Sequence, residues 1–218
     1  NFTNSILIGH QTTGSLDDAD GNVGVGVGAL DAITQGDNNV AVGYGALTTN
    51  TTGAQNAAVG KDALKVNLGG SDNSAFGFQA LDANTSASYN SAFGSGALGA
   101  NTTGANNTAV GKGALLLNET GTNNSAFGLG SLDAIVSASG NSAFGKDALG
   151  ANTGAGNTAV GAFAADNNTT GTYNVAIGYQ ALNANTTAGG NIAIGYQALN
   201  DANRTADVSA FNVAIGHL

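Results

Sequence analysis

Acidic side chains near the N-terminus are the residues whose types and spacing come closest to a chemical site. The stretch LDDADGN at residues 16–22 places Asp17, Asp18 and Asp20 ahead of a glycine, and oxygen-rich loops of this kind can bind calcium. The stretch lacks the spacing and the terminal glutamate of an EF-hand loop. A solvated acidic turn is therefore the favoured interpretation, with calcium ligation as the alternative.

Residues suited to acid–base or nucleophilic catalysis are scarce. The chain has one glutamate, Glu119, no cysteine, and two histidines, His10 and His217, at opposite ends. Triad chemistry needs a histidine held beside a nucleophile and an orienting acid, and the sequence indicates no such grouping. The stretch GVGVGAL at residues 24–30 resembles a phosphate-binding loop, but no helical pattern or downstream acid completes a dinucleotide fingerprint. We predict no enzymatic activity and no cofactor.

Charge and hydropathy exclude two classes of partner. Only 9% of the residues are charged and the formal net charge is −9, whereas nucleic-acid binding needs clustered lysines and arginines. The sequence also has no run of 18 apolar residues that could span a bilayer. We expect neither nucleic-acid binding nor membrane insertion.

Internal repetition is the dominant feature of the chain. A glycine, here called the repeat glycine, ends a short apolar run thirteen times, and seventeen residues separate ten of the twelve successive pairs. One step has sixteen residues, and the last has twenty-one because of extra residues around Arg204. The thirteen are Gly9, Gly26, Gly43, Gly60, Gly77, Gly94, Gly111, Gly128, Gly145, Gly161, Gly178, Gly195 and Gly216.

The residues before each repeat glycine predict a short strand. The pattern is N-x-A-z-G, where z is always Val, Ile or Phe, so an apolar triplet lies between asparagine and glycine. A seventeen-residue unit with two glycine corners is too short for a helix pair but fits one coil of a β-solenoid. We predict an all-β protein, a parallel β-solenoid, in a single domain over residues 1–218 with about 13 coils and a longer loop at 200–211. With coils about 4.8 Å apart, the rod would be roughly 60 Å long.

Stacking in register would place identical side chains above one another. The constant alanine suggests close backbone approach, and we expect Ile177 and Ile194 to share a buried column. With few large apolar residues per coil, we also expect several chains to share apolar faces. The asparagines are predicted to form a hydrogen-bonded structural ladder: Asn39, Asn56, Asn73, Asn90, Asn107, Asn124, Asn141, Asn157, Asn174 and Asn191.

The position after each repeat glycine varies and is predicted to face outward. Tyr44, Tyr179 and Tyr196 lie there and could contact a sugar or a protein surface, while an ordinary exposed row is the alternative. Thr pairs such as Thr51 and Thr52 recur in the NTTG corner and raise an ice-binding hypothesis. Interruptions of that column favour turn chemistry instead. The same corner generates many N-x-T/S sequons.

The repeat also resembles a known family. The units NSAFGFQAL at residues 73–81 and NVAIGYQAL at 174–182 resemble the head repeats of trimeric autotransporter adhesins and are similar to repeat arrays in phage tail fibres. The resemblance covers essentially the whole chain and implies a left-handed β-roll that forms a homotrimer. The adhesin repeat is shorter than seventeen residues, which favours the fibre-like variant.

Together these features predict a structural and adhesive extracellular protein, in a virion tail fibre or on a cell surface. Its expected partners are two further copies of itself and a cell-surface glycan or protein receptor. The alternatives are an ice- or crystal-binding solenoid and, less favoured, a polysaccharide-cleaving tailspike, which would need paired acids in a cleft.

Overall fold

The computed structural model describes residues 5–8, 19–200 and 211–217, and this part of the chain contains strands and turns but no helix. The predicted all-β class is therefore confirmed, and no segment of the described residues is a helix long and apolar enough to cross a membrane. The strands have three residues each: β1 Ile6–Ile8, β2 Val23–Val25, β3 Val40–Val42, β4 Ala57–Val59, β5 Ser74–Phe76, β6 Ser91–Phe93, β7 Thr108–Val110, β8 Ser125–Phe127, β9 Ser142–Phe144, β10 Thr158–Val160, β11 Val175–Ile177, β12 Ile192–Ile194 and β13 Val213–Ile215.

The strands form one parallel sheet in which each strand pairs with the next along the chain. From β3 to β13 the central residue of each strand is alanine and lies opposite the central alanine of the next strand, as Ala92 does opposite Ala109. The sixteen-residue step still pairs Ala143 with Ala159, and the twenty-one-residue step pairs Ala193 with Ala214. Length changes are thus absorbed between strands, and the predicted β-solenoid is confirmed. Residues 201–210, which make up most of the predicted long loop, lie outside the described residues.

The direction of the side chains differs from expectation. Alternation along a strand places its first and third residues on one face and its middle residue on the other. The middle alanine points inward and is fully buried, so Ile177 points outward and is 37% exposed in the single chain. The predicted buried column of Ile177 and Ile194 is therefore wrong for one chain, because the inner face of the strand carries the alanine and the third residue lies on the opposite face.

The interior of each coil is consequently thin. In most coils it holds the strand alanine, an alanine three residues after the repeat glycine, and the leucine that follows it; Gly24, Ser131 and Ala165 are exceptions. The leucines are the principal large aliphatic side chains of this core, with Ile33 and Ile135 as additions at the NTTG corner. The buried leucines are Leu30, Leu47, Leu64, Leu81, Leu98, Leu115, Leu132, Leu149 and Leu182.

Glycines allow neighbouring coils to approach closely at the corner after each strand. The repeat glycines of coils 2–13 have φ between 129° and 146°, and a methyl group built on Gly111 would lie 2.4 Å from the carbonyl oxygen of Gly128. No other residue type fits this column without moving the backbone.

Hydrogen bonds between coils continue through the corners. Leu98 N–H donates to Ala114 C=O at 3.0 Å, Gly113 N–H donates to Ser95 C=O at 3.0 Å, and Thr102 N–H donates to Glu119 C=O at 2.9 Å. The corners are therefore bonded to the coils above and below in the same way as the strands.

Candidate functional surfaces

The predicted asparagines lie above one another inside the solenoid, at the entrance to each strand. The Oδ1 atom of each accepts a hydrogen bond from the backbone N–H of its counterpart in the next coil, as Asn90 Oδ1 does from Asn107 N at 2.9 Å. This chain of bonds is continuous from Asn22 to Asn212. We call this column the first Asn ladder.

A second Asn ladder, which the sequence reasoning missed, runs through the NTTG corner. Its members are fully or almost fully buried, and Nδ2 of one donates to Oδ1 of the one before, as Asn84 does to Asn67 at 2.8 Å. The two ladders meet at a shared acceptor: the carbonyl oxygen of Gly70 accepts from both Asn56 Nδ2 and Asn67 Nδ2. The members are Asn50, Asn67, Asn84, Asn101, Asn118, Asn152, Asn168 and Asn185.

One substitution interrupts the second Asn ladder. Ile135 occupies the asparagine position between Asn118 and Asn152, and Asn118 Oδ1 is buried without a hydrogen-bond partner. A buried unpartnered acceptor is costly. The recurrence of asparagine before Thr-Thr could have revealed this ladder, had the sequons been considered as structural positions.

The NTTG corner therefore serves the packing of the coils. The sequon asparagines, including Asn84, Asn101 and Asn168, are buried, so their amide nitrogens are inaccessible in the folded rod. The hydroxyl of the first threonine donates to a carbonyl of the next coil, as Thr51 does to Leu68 at 3.0 Å and Thr102 does to Glu119 at 3.0 Å. These hydrogen bonds agree with a role for the threonines in the turn, since each hydroxyl proton points toward the next coil.

The position after each repeat glycine faces outward, as expected for the aromatic row of Tyr44, Tyr179 and Tyr196. These rings are 43–59% exposed. Tyr179 and Tyr196 stack with centroids 5.6 Å apart, and Tyr196 stacks on His217 at 5.0 Å. Their ring faces thus contact one another, so a ligand there would meet ring edges and hydroxyl groups. Tyr44 stands apart from this stack, and ligand contact by the row remains a prediction.

An extended partly apolar surface is the outer sheet face, formed by the first and third residues of β1–β13. The third residue is Val, Ile or Phe in every strand. Phe76 stacks on Phe93 with centroids 5.0 Å apart, and Phe127 stacks on Phe144 at 4.8 Å. These aromatic pairs remain partly exposed to solvent, with Phe93 41% and Phe144 42% accessible. The third residues therefore form a continuous apolar column along the rod, whereas the first residues of β5–β10 are serine or threonine.

Charged groups collect at the corner that follows the repeat glycine. Asp62 is buried; its Oδ2 lies 2.8 Å from Lys61 Nζ, and its Oδ1 lies 3.3 Å from Lys65 Nζ. The hydrogen bond from Lys61 is the main cause that lowers the pKa of Asp62 below its usual value, against the opposing effect of burial.

The pKa values of three other aspartates at this corner are shifted in the opposite direction to that of Asp62. Burial is the main cause that raises the pKa values of Asp82, Asp133 and Asp166, and neighbouring carboxylates add to it. For Asp133 and Asp166 the shared neighbour is Asp147, which pairs with Lys146 at 2.9 Å.

The remaining candidates from the sequence are only partly placed. Asp17, Asp18 and His10 lie outside the described residues, whereas Asp20 is partly buried and its backbone N–H donates to Asp37 Oδ1 at 2.8 Å. The part of the chain that the structure describes has no cluster of three acidic or histidine side chains suited to a metal. The stretch at 24–30 is a strand and corner of coil 2, with Gly24 in the alanine column.

Comparison of the chain with family models, curated proteins and solved structures finds no match.

Proposed function

We propose that the chain is a structural and adhesive segment of an extracellular fibre, either a virion tail fibre or a cell-surface adhesin. In this proposal three copies form a homotrimer of left-handed β-rolls, packed through the outer sheet face. The rod would hold a receptor-binding surface away from the particle or cell. Repetition would give it length and stiffness, and equivalent contacts in three chains would add through multivalency.

The observation that carries the proposal is the apolar outer sheet face. Thirteen strands about 4.8 Å apart, each with roughly 10 Å of strand, give a face of roughly 600 Å². The third-residue column makes this face apolar along its whole length, whereas the first residues are serine or threonine in β5–β10. A long and regular apolar column favours burial against an identical column.

The outer sheet face is not uniform in composition. Where the third residue is Phe, the first is Ser, as in Ser91 and Phe93; where the third is Ile, the first is Val or Ile in every described strand. The third residues supply its continuous apolar part, because they are Val, Ile or Phe throughout.

The thin interior supports the same conclusion. Because the third strand residue points outward, each coil buries essentially one large aliphatic side chain inside a single chain. Packing the outer sheet faces together would add the missing apolar burial. This strengthens the expectation, made from the sequence, that chains share apolar faces.

The test is the solution mass by light scattering of the protein and two matched variants. Phe93→Asp places a charge on the outer sheet face, and Leu129→Asp changes a similarly exposed apolar residue outside it. We expect three chains of 21.1 kDa each in the parent and in Leu129→Asp, and dissociation in Phe93→Asp. A monomeric parent, or a Phe93→Asp variant that stays trimeric, would refute the packing.

The ice-binding alternative is disfavoured by the threonine geometry. Thr51, Thr102 and Thr169 each donate their hydroxyl proton to a carbonyl in the next coil. A regular hydroxyl surface available to ice is therefore lacking at these positions. Inhibition of ice recrystallisation by the folded protein would restore this alternative.

A further inference from the structure

A hollow lies on the outside of coils 2–4, next to Tyr44. Its cavity volume is about 150 Å³, and its lining includes Gly28, Gly45, Thr48, Asp62 and Lys65. The hollow exists because the position two residues after the repeat glycine is glycine in two successive coils, so no side chain fills the space. In the next coil the same position is Asp62.

A second glycine pair, Gly113 and Gly130, leads to Asp147 in the same way, and the Asp147 carboxylate lies over Gly130 as that of Asp62 lies over Gly45. At that place Leu129 stands where coil 3 has Tyr44, and Gly150 stands where coil 4 has Lys65. Coils 2–4 therefore differ from coils 7–9 by an aromatic wall and a second cation.

The polar groups of the hollow are fixed in place. Asp62 has only 5% of its side chain accessible, and its Oδ1 lies over Gly45, with no hydrogen bond of good geometry beyond the 3.3 Å ion pair to Lys65. Thr48 Oγ1 donates to the Gly45 carbonyl at 2.7 Å and keeps lone pairs that can accept. Asp62 Oδ1 is shielded from solvent and makes an ion pair but no hydrogen bond, which is unusual for a buried carboxylate oxygen. The partly exposed Lys65 side chain would have to move for a ligand hydroxyl to reach this oxygen.

The aromatic wall is accessible. Tyr44 is 59% exposed and, unlike Tyr179 and Tyr196, has no aromatic ring stacked on it among the described contacts. Lys61 Nζ lies 5.8 Å from its ring centroid, so a cation and an aromatic surface adjoin the acid. A neutral polyhydroxyl ring fits this set: its C–H face packs on the aromatic, and its hydroxyls donate to a carboxylate and accept from ammonium groups.

We propose that the hollow at Tyr44, Asp62 and Lys65 is a binding site for one hexopyranose unit of a glycan. This names the receptor class of the proposed fibre and rests on that proposed function for its biological setting. The volume admits one sugar ring, so a single site binds with a dissociation constant on the order of a few millimolar. Three copies on one trimer would raise the avidity for a polysaccharide.

The test is saturation-transfer NMR with the methyl pyranosides of glucose, galactose, mannose and N-acetylglucosamine, each at about 50 mM. At least one pyranoside should bind the parent protein, and Tyr44→Ala and Asp62→Asn should each weaken that binding at least fivefold. Matched controls are Tyr89→Ala, at a similarly exposed tyrosine outside the outward column, and Asp147→Asn at the equivalent corner, both with unchanged binding. Circular dichroism checks that each variant is folded, and Tyr44→Ala removes only an exposed ring.

Each result is decisive. Binding by none of the four pyranosides, binding unchanged in folded Tyr44→Ala, or binding lost in folded Tyr89→Ala would each overturn the site. Light scattering on the same samples separates this inference from the trimer: a monomer that binds the sugar through Tyr44 and Asp62 keeps the site while refuting the assembly.

Discussion

Leucine adopts a left-handed backbone conformation in nearly every coil. The φ angles of the ten leucines in this column lie between 49° and 55°, a region that costs an ordinary residue roughly 1–2 kcal/mol. The conformation persists because it turns the coil while pointing the leucine inward, where it supplies most of the apolar burial. Valine or isoleucine would be worse here, because β-branching makes positive φ still less favourable.

Gly111 and Gly113 of coil 7 both have positive φ, at 133° and 66°, but the next coil approaches them very differently. A methyl group on Gly111 would lie 2.4 Å from Gly128 C=O, whereas at Gly113 it would meet nothing within 4 Å, although φ is positive at both. We expect Gly113→Ala to lower the free energy of unfolding by about 1 kcal/mol. Gly111→Ala should cost several times more or prevent folding, because the next coil must move.

Urea denaturation followed by circular dichroism measures both variants. Equal destabilisation by Gly111→Ala and Gly113→Ala would contradict the close stacking of the repeat glycines.

At the scale of the element, buried amides are as important as apolar side chains. With a few exceptions, each coil contributes one asparagine to each Asn ladder. One asparagine from each ladder donates to the same backbone carbonyl at the corner, as Asn56 and Asn67 do to Gly70. Such networks favour a single register, because a shift of one residue would leave many buried polar groups without partners. This explains why strand register survives coils of sixteen and twenty-one residues.

The interruption of the second Asn ladder at Ile135 predicts that replacing this buried apolar residue by a polar one costs little stability. Ile135→Asn would restore an amide donor for the unpartnered Asn118 Oδ1, a gain of about 1–3 kcal/mol that offsets much of the lost apolar burial. Leu132→Asn, three residues earlier and equally buried, has no ladder to join and should lower stability by about 2–5 kcal/mol.

The comparison is made by thermal and urea unfolding of both variants under one buffer. If Ile135→Asn is as destabilising as Leu132→Asn, the second Asn ladder does not stabilise the rod as described.

How far the sequence predicts this structure depends on the element. The seventeen-residue period, the strand before each repeat glycine and the first Asn ladder follow from repetition, because stacked coils must place like residues together. The direction of Ile177 could not be read from three residues: alternation fixes which residues share a face but not which face is inside. The second Asn ladder could not be recognised from the sequence, because N-T-T is also an ordinary turn sequence. The hollow beside Tyr44 depends on the absence of side chains at Gly28 and Gly45, which only the stacking of the coils brings together.

Across the whole molecule, stability should depend on pH in two opposite ways. The raised pKa values of Asp82, Asp133 and Asp166 mean that the folded state holds their protons more tightly than the unfolded chain. Stability should therefore rise as pH falls from 7 through these pKa values toward the usual value of 3.8. Below that value the favourable contribution of ionised Asp62, whose pKa is lowered, is lost.

The thermal midpoint at constant ionic strength, measured between pH 7 and pH 3, checks this expectation. The double variant Asp133→Asn with Asp166→Asn should be more stable than the parent at pH 7, and its midpoint should rise less on acidification. A parent midpoint that falls steadily from pH 7, or a double variant with the same pH profile as the parent, would contradict the assignment.

The direction of the backbone hydrogen bonds also has a mechanical consequence. They join coil to coil along the length of the solenoid, so tension applied to its ends would load the terminal coil first instead of sharing the force among all strands. A detached coil of seventeen residues replaces about 4.8 Å of folded height by roughly 58 Å of extended chain. A rod built in this way would lengthen in steps under tension and dissipate energy each time a coil detaches.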